Sequence, residues 1–202
     1  MLDNSIVLQR PTEPPSSLVL LTHGVGSRPD SMLPVGALFA AHDATSMVVS
    51  VASAYQSDIS NGYQWFSVRG ITEENRQERV DAAMAAFLSV VGQWQKFAQL
   101  GPEATRLVGF SQGAIMALES TKLVAPPALS IVALAGRFAS LPTGKSAARI
   151  HFVHGARDEV VAPEHSLQAM RVLSELGGHT SLDVLPELGH QPHPDAIKRL
   201  LR

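Results

Sequence analysis

Three short apolar runs constrain the fold more than anything else in the chain: Leu18–His23, Met47–Val51 and Leu129–Ala135. A strand with one solvated face alternates apolar and polar residues, whereas a strand covered on both faces reads as an unbroken apolar run. Further strands are predicted at Ser5–Gln9, Thr105–Phe110, Ala148–His154 and Thr180–Leu185. Between them lie helical stretches at about Ser31–His42, from the cap Thr72 to Gly101-Pro102, from Ala114 to about Val124, over Pro163–Leu176, and over Asp195–Arg202. Strands alternating with helices predict an α/β fold, a mostly parallel, doubly wound sheet with helices on both faces.

Local chemistry sets the boundaries. Proline cannot donate into a sheet ladder, so Arg10-Pro-Thr-Glu-Pro-Pro15 closes the first strand. Thr72 caps the longest helix, and Glu73 and Glu74 occupy its first turn, where the helix dipole favours carboxylates. Val80, Met84, Phe87, Val91 and Trp94 recur along it at helical spacing and form one apolar stripe facing the core. Pro126-Pro127 stops the next helix, Pro163 starts another, and Gly177-Gly178 ends it. A polar loop spans Ser140–Ser146. Ala52–Gly70 has no period but holds Tyr55, Tyr63, Trp65 and Phe66. A long aromatic loop of this kind is either functional or a cover over the core, and both readings stand.

The 202 residues carry no repeat or linker, which predicts a single domain over residues 1–202. A net charge of −2 gives no reason to expect nucleic acid or an anionic membrane as partner. The absence of cysteine excludes disulfides, thiolate metal sites and cysteine nucleophiles. The first residues lack a basic segment followed by an apolar one, and no apolar run approaches the ~20 residues of a membrane-spanning helix. A soluble, cytoplasmic protein is expected.

In a sheet of this type, ligands collect at the carboxyl ends of the strands. Four polar stretches fall there. His23-Gly-Val-Gly26 follows one strand, and Gly109-Phe-Ser-Gln-Gly113 follows another and opens a helix. Asp158 follows the strand ending at His154, and His190 follows the last strand. G-x-S-x-G between a strand and a helix is the context of a nucleophile elbow, although the pattern alone also fits a glycine-rich turn with an incidental serine. A serine hydroxyl becomes a nucleophile when an imidazole accepts its proton, and the imidazole needs a carboxylate to fix its tautomer. Ser111, Asp158 and His190 are the candidate nucleophile, orienting acid and general base.

Competitors exist for each role. Glu159 and Asp183 are alternative acids, and His193 is an alternative base. His23 is read as holding its own loop. His151 and His154 lie on opposite faces of one strand, so they do not form a chelating pair. A His190/His193 metal pair lacks further ligands, so no metal or cofactor is expected. A tetrahedral oxyanion needs two backbone N–H donors; Gln112 and Val25 are the candidates. Because these are main-chain roles, side-chain changes there should cost less than loss of Ser111.

These stretches together resemble the small α/β-hydrolases of the phospholipase/carboxylesterase family, which includes acyl-protein thioesterases. His23-Gly-Val-Gly resembles its oxyanion loop, Gly-Phe-Ser-Gln-Gly its elbow, His154-Gly-x-x-Asp158-x-Val-Val its acid loop, and Gly189-His190 its histidine loop. Tyr63-Gln-Trp-Phe66 with Gly70-Ile resembles the segment beside its active site, in a bacterial esterase branch. The chain departs from the family pattern at Ser27, often Asp, and at Ala114, often Gly. The resemblance covers residues 18 to 195. It implies an α/β-hydrolase fold with little or no cap, and hydrolysis of small-molecule acyl esters through an acyl-enzyme, without a cofactor. Thioesters or lysophospholipids are the alternative substrates, and a non-catalytic binding protein is the alternative from another class. Loop position assigns the acyl group to Trp65, Phe66, Met32, Leu33 and Val160. A monomer or weak homodimer is expected from the family.

Overall fold

The computed structural model describes residues 4–201. Seven strands form one sheet: β1 (Ile6–Gln9), β2 (Ser17–Thr22), β3 (Ser46–Val51), β6 (Thr105–Phe110), β7 (Ser130–Leu134), β8 (Arg149–Gly155) and β9 (Thr180–Leu185). Their spatial order is β1-β3-β2-β6-β7-β8-β9. Every pairing is parallel except that of β1 with β3, so only one edge runs antiparallel. The sheet is the mostly parallel one expected from the unbroken apolar runs.

Those runs are buried on both sides. Leu18, Leu20, Leu107, Ile131 and Phe152 face a core closed by α2 (Glu73–Ala98), α3 (Gln112–Ser120) and α4 (Glu164–Glu175). Val19, Leu21, Val108, Val132 and Val153 face a second core closed by α1 (Leu33–His42) and α5 (Asp195–Lys198). The predicted stripe of α2 packs as expected, with Val80, Phe87, Val91 and Trp94 all buried. Thr72 caps that helix in a capping box with Asn75, whose side chain returns a bond to the Thr72 backbone.

The structure departs from the sequence reading at several ends. The helix after the elbow ends at Ser120 rather than near Val124. Thr121 N–H and Lys122 N–H turn back to carbonyls three residues earlier, and the Ser120 and Thr121 hydroxyls bond to Ala117 and Leu118 carbonyls, so the chain tightens out of the α-helix before the prolines. α1 begins at Leu33, preceded by a 3-10 turn over Pro29–Met32. The closing helix is one turn, Asp195–Lys198; Arg202 lies outside the described residues. The aromatic segment contains a small hairpin, β4 (Tyr55–Gln56) with β5 (Tyr63–Gln64).

Candidate active site

The turn from β6 into α3 holds Ser111 at φ 51° and ψ −115°, a conformation in which a side-chain-bearing residue is strained. Two glycines allow it. A Cβ on Gly109 would lie 2.5 Å from Ala114 backbone, and one on Gly113 would collide with the Thr22 carbonyl on β2. Ser111 N–H is tied to Leu134 O at 2.9 Å, which fixes the elbow to β7. The strained turn lifts the hydroxyl clear of both elements.

His190 lies over it. Its Nε2 is 2.9 Å from Ser111 Oγ, and its Nδ1 is 2.8 Å from Asp158 Oδ2. A carboxylate only accepts, so Nδ1 carries the proton and Nε2 is left to accept from the serine hydroxyl. Asp158 Oδ1 accepts the backbone N–H groups of Val160 and Val161, both at 2.9 Å. Burial pushes the Asp158 carboxyl up, but N–H donors from Val161, His190 and Val160 outweigh it and hold the group below the usual carboxylate range. Phe110 packs against the imidazole with ring centroids 4.9 Å apart.

The competitors are placed elsewhere. Glu159 is exposed, and Asp183 sits within β9 at 3.3 Å from His151. His193 turns toward Asp195, whose backbone N–H it accepts at 3.2 Å. Among the described residues no three His, Asp or Glu side chains converge as a metal ion would need.

Beside Ser111 runs the His23–Gly26 loop. A Cβ on Gly24 would lie 3.3 Å from Ser111 Cβ, so the loop passes directly against the serine. His23 is fully buried, and burial lowers its pKa, so its ring is neutral. Nε2 accepts Ser53 N–H at 3.3 Å, which leaves Nδ1–H to bond Gly24 O at 2.8 Å. Trp65 Nε1–H donates to His23 O at 3.0 Å, and the two rings stack 5.4 Å apart. The hairpin closes the far side through Gly26 N–H on Tyr63 O and Tyr63 N–H on Ser27 O. Among the described residues no acceptor is bonded to the backbone N–H of Val25 or of Gln112.

The expected acyl lining needs correction. Trp65, Phe66 and Met32 are buried in the hydrophobic cores, at 3%, 5% and 0% exposure, and leave little surface open to a ligand. Trp65 is consumed by its contacts with His23 and, edge-on, with Phe87. Leu33 is half-buried and Val160 is exposed, so only these two of the five offer apolar surface. Sequence reasoning also missed the side chain of Gln112. Its Oε1 accepts Trp65 N–H at 2.7 Å and its Nε2 donates to Phe66 O at 2.7 Å.

The comparisons with known proteins agree on kinship. Residues 3–201 match a family described as phospholipase/carboxylesterase. Over 191 residues the chain is 46% identical to esterase YpfH of Escherichia coli K12, a match spanning 94% of this chain and 82% of that protein. The crystal structure of esterase PE8 superposes with a TM-score of 0.84 at 26% identity, covering 98% of this chain and 95% of the other. The Bacillus cereus carboxylesterase superposes with a TM-score of 0.79, covering 98% and 91%; at 15% identity that likeness speaks for the fold alone.

Proposed function

The chain belongs to the phospholipase/carboxylesterase family and is a carboxylic ester hydrolase, and from that premise we propose that it cleaves acyl esters with Ser111, His190 and Asp158 through an acyl-enzyme. The observation that carries this reading is the continuous relay from Ser111 Oγ to His190 at 2.9 Å and from His190 to Asp158 at 2.8 Å.

Each step follows from the tautomer. His190 Nε2 takes the Ser111 proton as Oγ bonds to the ester carbonyl carbon, and Asp158 stabilises the imidazolium that results. The carbonyl oxygen becomes an oxyanion facing the unoccupied N–H groups of Val25 and Gln112, the latter at the start of α3; each such donor lowers the barrier by about 3 kcal/mol. When the tetrahedral centre collapses, the C–O bond to the alcohol breaks and His190 passes its proton to the departing alkoxide. A water then gives a proton to His190 while its oxygen attacks the acyl carbon, and Ser111 leaves with the proton restored. The products are an alcohol and a carboxylic acid. Leu33 and Val160 supply the apolar surface for the acyl group.

A panel of p-nitrophenyl esters of graded acyl length, run beside thioesters and lysophospholipids, tests the substrate class. Turnover should be highest on the oxygen esters and should vanish in Ser111→Ala with the fold intact. Undiminished turnover in that variant contradicts the reading.

A further inference from the structure

The mechanism above leaves one buried titratable group beside the relay unused. His154, at the end of β8, is fully buried, and its Nε2 is 3.2 Å from Asp158 Oδ2 and 2.8 Å from Val161 O. Oδ2 is the same oxygen that receives His190 Nδ1–H. Both neighbours of Nε2 are acceptors only, so Nε2 carries a proton, which bonds to Val161 O with the carboxylate oxygen alongside. On the other side of the ring, Nδ1 is 2.7 Å from Ser166 Oγ on α4. Burial lowers the pKa of His154, so the ring is neutral and Nδ1 accepts the serine proton.

This arrangement closes a ring. His154 Nε2–H holds Val161 O, Val161 N–H holds Asp158 Oδ1, and Asp158 Oδ2 comes back to within 3.2 Å of Nε2. The Asp158 side chain is wholly shielded from water, so no solvent molecule replaces a donor removed from it. Three N–H groups bond to the carboxylate, two from the backbone and one from His190, and His154 Nε2 lies beside Oδ2 at 3.2 Å. Each donor fixes the plane of the carboxylate and draws negative charge away from the bond to His190.

We propose that His154 is a positioning residue for the reaction: its Nε2–H holds Val161 O and so keeps the Val161 N–H on Asp158, which orients the carboxylate toward His190, and its dipole beside Oδ2 moderates the carboxylate's pull on His190. Ser166 is part of the device, because the acceptors at Nε2 leave Nδ1 without a proton and the Ser166 hydroxyl, 2.7 Å away and also 3.2 Å from Gly136 O, is the donor placed to satisfy it. The titratable groups facing His154 are Asp158 and His190 from the loops and His165 from α4, with the Arg137–Glu73 ion pair beyond His165. The proposal rests on the relay assigned under the proposed function.

The test compares wild type, His154→Leu, His154→Gln and Ser166→Ala. The readouts are the acid limb of kcat/KM on a p-nitrophenyl ester and a proton NMR titration of His190. In His154→Leu, Asp158 keeps its full charge for His190, so the His190 midpoint should rise by about half a pH unit or more. Its kcat should fall about tenfold with KM nearly unchanged. The amide nitrogen of His154→Gln reaches the place of Nε2 and should restore both. Ser166→Ala should move the midpoint the same way, by less, without altering the acid loop. A His190 midpoint that is unmoved or lowered in His154→Leu and Ser166→Ala overturns the proposal, whatever happens to thermal stability. If His154→Leu does not fold, Ser166→Ala decides alone. Labelling of wild-type Ser111 by a fluorophosphonate separates the two failures: without it the relay itself is wrong, and with it only the role of His154 is at stake.

Discussion

Gln112 reaches back from the first residue of α3 to Trp65, its Oε1 accepting the Trp65 backbone N–H at 2.7 Å while its Nε2 donates to the Phe66 carbonyl. One amide thus pairs with two adjacent backbone groups as a neighbouring strand would. It ties the nucleophile elbow to the segment that packs against the His23 loop, so the residue beside Ser111 has a structural side chain as well as a candidate catalytic N–H.

Gln112→Ala should therefore cost more than a main-chain role alone implies. It leaves a buried donor and a buried acceptor unpaired, at about 1–3 kcal/mol each, so a loss of about 2–6 kcal/mol is expected in urea unfolding. Gln112→Glu keeps the acceptor for Trp65 but cannot donate to Phe66, and should fall between. An Ala variant as stable as wild type would show the clamp to be dispensable.

Gly155 sets the distance between the acid and histidine loops. A Cβ there would collide with the Leu188 carbonyl, which also accepts Arg157 N–H at 3.0 Å. Gly155→Ala should push the loop carrying His190 away from Asp158 and lower kcat/KM by about a hundredfold, the cost of a misplacement near 1 Å. Gly144→Ala, with no atom near the added methyl, is the control and should leave kcat/KM unchanged.

Stability should fall as pH falls through the histidine range. His23 and His154 have pKa values lowered by burial, and His151 and His165 shift the same way for the same first reason. The unfolded chain takes up protons near the ordinary value of about 6.5, where the folded protein does not. Stability is thus fully present above that value and is lost as pH drops toward the lower folded values, by up to about 1.4 kcal/mol per pH unit for each proton taken up. Asp158, held below the usual carboxylate range, adds a second loss further into acid. Urea unfolding at about pH 7.5 and about pH 5.5 should give the lower free energy at the acid end. A flat or rising profile would mean that these rings are not kept neutral by burial.

The parts of the site legible in the sequence are those written in local pattern. The apolar runs marked the strands, and Ser111, Asp158 and His190 each follow a strand end, where the structure joins them in one hydrogen-bonded chain. The burial of Trp65 and Phe66 was not legible, because an aperiodic loop gives no sign of which aromatic turns inward, and that of Met32 depends on the 3-10 turn ahead of α1. The two-residue strands at Tyr55–Gln56 and Tyr63–Gln64 are too short to leave a period. The Gln112 clamp joins residues more than forty apart in the chain, and nothing in the elbow pattern speaks to its side chain. For His154 the signal was present, since it stands four residues before Asp158; its partners Val161 and Ser166 emerge only from the fold.

The most direct test of the account is intact-mass spectrometry after exposure to a fluorophosphonate, followed by peptide mapping. Ser111 Oγ, with its proton passed to His190, should displace fluoride and carry the single adduct, and Ser111→Ala should remain unmodified while folded. An adduct on another residue, or ester turnover that continues in wild type with Ser111 unlabelled, would contradict the assignment of Ser111 as nucleophile.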